Sequence, residues 1–113
     1  MPEFVLLFVG RAARPEATDA QTAEYNQQWA GYMRGLGEAG QLRAGAPFEP
    51  TGQVVSRDGP TDLELAEVDI GGYLVVETES LEAAVEIAGR APHIALGGKT
   101  IVRPCVAVGP PGE

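Results

Sequence analysis

A chain of 113 residues has room for one hydrophobic core and not for two, and an apolar share of 44% is that of a folded domain rather than a disordered one. Sixteen acidic residues against eight basic ones give a formal charge of -8, a field that repels phosphate backbones. No run of Lys or Arg forms a local patch against that field, so nucleic acid is excluded as a partner and the acidic surplus serves solubility.

Cys105 is the only cysteine, which rules out an internal disulfide, a CxxC redox pair and a thiolate zinc site. Its apolar neighbours Val102, Val106 and Val108 give the expectation of a buried structural thiol. Glu3 stands where a secretory leader would carry positive charge. The apolar run from Phe4 to Val9 is too short for a leader core or a membrane span. A cytoplasmic protein without membrane contact is expected.

In chain order, Phe4 to Val9 is an unbroken apolar run ended by Gly10, the pattern of a strand buried on both faces. Arg11 to Ala17, with Pro15, reads as a loop. Thr18 and Gln21 have capping-box spacing, and Asp19 lies where a helix dipole favours negative charge. Tyr25, Trp29, Tyr32, Met33 and Leu36 then recur at helical intervals as one apolar stripe, with Gly40 as the C-terminal stop. Leu42 to Phe48 is a weak strand, interrupted by Gly45 and ended by Pro47 and Pro50. Gln53 to Arg57 enters a turn at Asp58-Gly59-Pro60, and Thr61 to Asp69 is expected as the returning arm.

Gly71-Gly72 opens the strand Tyr73 to Val76. Ser80 caps a second helix, with Glu82 in its first turn and Ala84, Val85, Ile87 and Ala88 on its inner face. Pro92 stops that helix. Gly97-Gly98 turns into a last strand, Thr100 to Val108. Residues 1–108 thus form a single domain and residues 109–113 a flexible tail.

The order is strand-helix-strand, a β-hairpin insertion, then strand-helix-strand, which is the α+β, ferredoxin-like split βαβ arrangement with an antiparallel sheet. In that topology the second and fourth main strands are edges. Pro47 and Pro104 fall in those two, where a missing N–H does no harm. Two helices cover one face of such a sheet. The first strand is nevertheless apolar on both sides, with Phe4, Leu6 and Phe8 alternating with Val5, Leu7 and Val9. An uncovered face of roughly several hundred Å² marks an interaction surface, and a homodimer packed sheet on sheet is expected.

The blocks FVLLFVG, Trp29 to Leu36, AGQLRAGAPFEP, VVSRDG, GGYLVVETESLEAAVEIA and GGKTIVRP, in this order and spacing, resemble the YCII-related family and its DGPF-type branch. The resemblance spans nearly the whole chain and implies a dimeric α+β barrel. The chain departs from the branch before its Gly-Gly strand, where TDLELAEVDIGG lacks Gly-Pro-Phe. In the YCII branch a His and an Asp are thought to form an acid-base pair. The corresponding positions here are Trp29 and Glu38, and indole does not exchange a proton at neutral pH.

His93, after Pro92 at an element end, is either a capping histidine or a ligand-binding or acid-base group. With no second His or Cys to join it, no transition-metal site is expected, and no cofactor fingerprint of the GxGxxG or P-loop kind occurs. Tyr25, Trp29 and Tyr32 share a helix face that is either core or the wall of a cleft for an apolar ligand with a polar handle. Arg103 interrupts the last strand as a solvated charge or a carboxylate partner. Glu64, Glu67 and Asp69 read as a solvated cluster.

Two functions follow from these residues, with a third as a regulatory interaction module. One is a small-ligand-binding or accessory protein, with Tyr25, Trp29, Tyr32 and Arg103 as ligand contacts. The other is a cofactor-independent lyase or isomerase acting on a small oxygenated or aromatic compound. There His93 would be the acid-base group, with Glu38 or Glu67 as its partner.

Overall fold

The computed structural model of the chain describes residues 1–11, 17–64 and 68–106. The apolar run becomes β1 (Glu3–Arg11), and Thr18 caps α1 (Asp19–Glu38) through a complete capping box with Gln21. α1 ends at Gly40, whose φ of 71° is the left-handed conformation that favours glycine. There the Gly40 N–H bonds Gly37 and the Gln41 N–H bonds Leu36, a Schellman closure. β2 (Leu42–Pro47) follows, then β3 (Gln53–Ser56) and β4 (Gly59–Asp62), then β5 (Val68–Glu77). α2 (Leu81–Gly89), capped by Ser80, leads into a 3-10 helix (Pro92–Leu96) and β6 (Lys99–Pro104).

The four main strands form one antiparallel sheet in the order β2-β5-β1-β6, and β3-β4 form a two-stranded sheet of their own. This is the ferredoxin-like α+β order. The central strands are the two apolar runs, while Pro47 and Pro104 end the edge strands.

Several boundaries differ from the sequence reading: β1 runs through Gly10 to Arg11, and Gly71-Gly72 lie within β5 rather than opening it. The hairpin turn is Arg57-Asp58, because Ser56 already pairs with Gly59. Asp69 belongs to the main sheet, paired with Gly10, rather than to the hairpin's returning arm. β6 ends at Pro104, and Cys105 beyond it is exposed, not buried, its N–H bonding the Glu3 carbonyl. Pro92, besides ending α2, starts the 3-10 turn, where its lack of an N–H is harmless. Residues 12–16, 65–67 and 107–113, which include the expected tail, lie outside the described residues.

The core sits between the helices and one face of the sheet. Phe4, Leu6 and Phe8 of β1 and Leu74 and Val76 of β5 meet Leu36 of α1 and Ala84, Ile87 and Ala88 of α2. Leu6 is wholly buried, a burial that contributes about 1.5–3 kcal/mol. Val85 is 52% exposed, contrary to its expected inward place. A helix turns about 100° per residue, so positions 84, 87 and 88 share a face from which position 85 is turned away.

On the opposite face Val5, Leu7, Val9, Tyr73 and Val75 are half-buried and Ile101 is 43% exposed. Glu77 ends this apolar field, bonded by Arg43 at 2.7 Å. The guanidinium holds the Glu77 carboxyl below the usual carboxylate range.

Candidate functional site

The stripe of α1 does not lie flat on the sheet. Large rings at Tyr25 and Trp29 hold the N-terminal half of the helix away from strands that at this end carry Gly10, Gly45 and Gly72. The result is a cleft of about 580 Å³ lined by these residues with Phe8, Met33, Phe48, Asp69, Leu74 and His93, among others. Its size is that of a small-molecule site.

Trp29 is the hub of the wall. Phe8 meets it edge-on at 4.9 Å, Tyr32 at 5.7 Å and Tyr25 at 6.2 Å, and His93 stacks on it at 5.6 Å with a 24° tilt. Phe8 also meets His93 edge-on, so the imidazole is packed on two sides by aromatic carbon.

His93 reaches this position through the glycines that follow it. Gly97 adopts φ 89° to close the 3-10 turn. A Cβ at Gly98 would stand 2.5 Å from the His93 ring and 3.0 Å from the Val9 carbonyl, so only glycine leaves the ring its place. The imidazole is buried, with Nε2 at 2.7 Å from the Lys99 carbonyl and 3.3 Å from the Thr100 hydroxyl. A carbonyl only accepts, so Nε2 carries the hydrogen, and in the neutral ring Nδ1 is the lone-pair nitrogen. That Nδ1 is buried and has no partner, alone in this respect among the side chains of the described residues.

Of the residues singled out from the sequence, Tyr25, Trp29 and His93 come together in the cleft. Tyr32 does not join them: its hydroxyl donates to the Ile87 carbonyl at 2.6 Å and ties α1 to α2. Burial pushes its phenol up to about 12, with the Arg90 charge pulling the other way. Arg103 is exposed on β6 opposite Val5, on the far face of the sheet from the cleft. Glu38 is exposed in the last turn of α1 and is not a lining residue. Glu67 lies outside the described residues.

The sequence reading missed Phe8, Met33 and Asp69 as lining residues. From the sequence, Asp69 is expected on a solvated face. Its pairing with Gly10, two residues beyond the core side chain Phe8, puts it on the cleft side. A register shift between Phe8 and Val9 intervenes. No signal within the cluster of acidic residues reveals that shift.

Among the described residues no helix is long and apolar enough to cross a membrane, and no three His, Cys, Asp or Glu side chains gather as metal ligands.

The architecture has solved counterparts. A similar structure is that of 5-chloro-2-hydroxyhydroquinone dehydrochlorinase from Burkholderia phenoliruptrix AC1100, in complex with 2,5-dihydroxybenzoquinone. The TM-score is 0.53 at 19% identity, covering 89% of this chain and 90% of that one, a likeness of fold. No curated protein sequence matches the chain. The family model of the YCII-related domain matches residues 5–105, nearly the full length, and the chain therefore belongs to the YCII-related family.

Proposed function

We propose that the protein binds a small, planar, largely apolar compound in the cleft between α1 and the sheet. The observation that carries this is the gathering of Phe8, Tyr25, Trp29 and His93 around a space of about 580 Å³. The similar dehydrochlorinase was solved with 2,5-dihydroxybenzoquinone, a small oxygenated ring, which supports this reading. Trp29 is the only tryptophan, so its fluorescence reports the cleft directly. Titration with a panel of substituted benzenes is expected to shift or quench that emission saturably. No response from any member up to millimolar concentration, with no small molecule retained in native mass spectra, would overturn the proposal.

A lyase or isomerase using His93 is the second reading. Proton transfer calls for a base held by an orienting carboxylate. The hydrogen bonds of His93 go instead to a backbone carbonyl and a threonine hydroxyl, which supports binding over catalysis.

The binding form is a homodimer joined through the open sheet face. The apolar side chains of Val5, Leu7, Val9, Val75 and Ile101 on that face support this reading. Sedimentation at micromolar concentration is expected to give twice the chain mass of 11.8 kDa, and a monomer would refute the dimer.

A further inference from the structure

The hairpin of β3 and β4 stands apart from the rest of the chain. It joins no strand of the main sheet. Every residue of β3 is exposed, and no residue of β4 is buried. A two-stranded ribbon alone in water is marginally stable at best and persists when one of its faces packs on something. Its pairing sets Val55 opposite Pro60 on one face, and both are exposed, Val55 at 78%. Val54 and Thr61 pair on the other face, where Val54 is less open at 48%.

The root of this arm is continuous with the open face of the main sheet. Just past the end of β2, the Phe48 N–H bonds the Gly71 carbonyl at 2.8 Å, and the Phe48 ring lies 5.9 Å from that of Tyr73. Tyr73 pairs with Leu7, so its ring points away from the helices, on the face that carries Val5, Leu7 and Val75.

Area separates a dimer made by the sheet faces alone from one that also uses the arms. Four strands, paired over six residues between β1 and β6, present a face on the order of 400 Å² at the usual strand spacing and rise. Two such faces bury about 800 Å² together, short of the roughly 1,200 Å² at which stable interfaces begin. One face of an arm of two four-residue strands adds about 130 Å², and an equal patch is covered where it lands. Two-fold symmetry supplies this contribution twice and brings the total to about 1,300 Å², inside the stable range.

We propose that the β3-β4 hairpin is a dimer arm, with Val55 and Pro60 of each protomer packed on the body of a second copy of this chain. This rests on the reading of the open face as a dimer contact and adds a second, reciprocal part to it.

The test uses the full chain. In a mixture of equal parts isotope-labelled and unlabelled protein, intermolecular NMR contacts are expected from the Val55 methyl groups as well as from Val5 and Leu7. Val55→Glu alters an exposed side chain, so the circular dichroism spectrum should stay as it is. The dimer dissociation constant should rise about tenfold or more, because the change enters a two-fold interface twice. Val54→Glu adds the same charge on the other face of the ribbon and should raise the constant clearly less.

Intermolecular contacts from Val5 and Leu7 without Val55, or an unchanged dissociation constant for Val55→Glu, would overturn the arm and leave the sheet-face dimer in place. An equal rise for Val54→Glu would overturn the assignment of the docking face. A native protein that sediments as a monomer would remove the dimer and its arm together.

Discussion

The two helices cover the same face of the sheet by opposite means. α2 sets Ala84, Ile87 and Ala88 against it, three buried residues of nine, and small side chains let its backbone come close. α1 buries only Leu36 of its twenty residues, and its aromatic rings stand between helix and strands as spacers. The same strand-helix-strand plan thus yields one half that closes the core and one half that leaves a cleft. In this chain, side-chain size along the helix face separates the closed half from the open one.

The largest effect that tests this contrast is on stability. Ile87→Ala empties a fully packed position and is expected to cost about 2–5 kcal/mol in denaturant unfolding. Met33→Ala, on the loosely packed half, should cost clearly less. Equal costs would break the contrast between a closed half and an open one. Next comes Gly98→Ala, whose added methyl group meets the His93 ring and the Val9 carbonyl. A cost of about 1–3 kcal/mol is expected from such crowding. Because His93 stacks on Trp29, a changed Trp29 emission should accompany it, and an unchanged spectrum would show that the ring yields at no cost to the wall.

Capping provides a smaller and sharper probe, since both helices begin with the same chemistry. Thr18 accepts the Gln21 N–H and Ser80 the Ala83 N–H, each at 3.1 Å. Either residue changed to Ala should lose about 1 kcal/mol. For Ser80→Ala the loss should appear in global unfolding, because α2 is bound to the core. For Thr18→Ala it should appear first as faster amide exchange in the opening turns of α1. Identical exchange patterns would mean that α1 is as firmly held as α2.

An effect of similar size is expected at Tyr32, whose hydroxyl ties α1 to α2. Tyr32→Phe removes the hydrogen bond to the Ile87 carbonyl and should cost about 1 kcal/mol. It also has a pH signature. Burial pushes the folded phenol from its ordinary 10.0 up to about 12, so the fold favours the neutral form. That contribution is complete below pH 10 and is lost as pH rises from 10 toward 12. Denaturant midpoints of the native protein should fall across this window, and those of the Phe variant should fall less.

The architecture was legible because its signals are local. The box at Thr18 and Gln21, the cap at Ser80, the alternation in Phe4 to Val9 and the prolines 47 and 104 each act within a few residues. Together they specify element order and edge strands. The cleft was legible only in part. Tyr32 belongs to the same stripe as Trp29, but three residues along a helix leave it about 60° away and facing α2. Arg103 alternates to the far face of the sheet with Val5. Asp69 enters the cleft through a register shift between strands distant in sequence, and a shift of one residue reverses every side chain. His93 stood out as the single histidine. Its burial depends on the bare backbone of Gly98, which a turn signal does not distinguish from an ordinary loop.

The hairpin of β3 and β4 carries a different consequence. It pairs with itself as a separate sheet, and Val54 and Val55 face solvent at 48% and 78% exposure. An excursion of this kind is an independently variable module. The free energy of closing a loop grows only by about 0.6 kcal/mol per doubling of its length. The arm can therefore be lengthened or shortened at little cost to the four-stranded sheet, which makes it a natural place for grafted sequence.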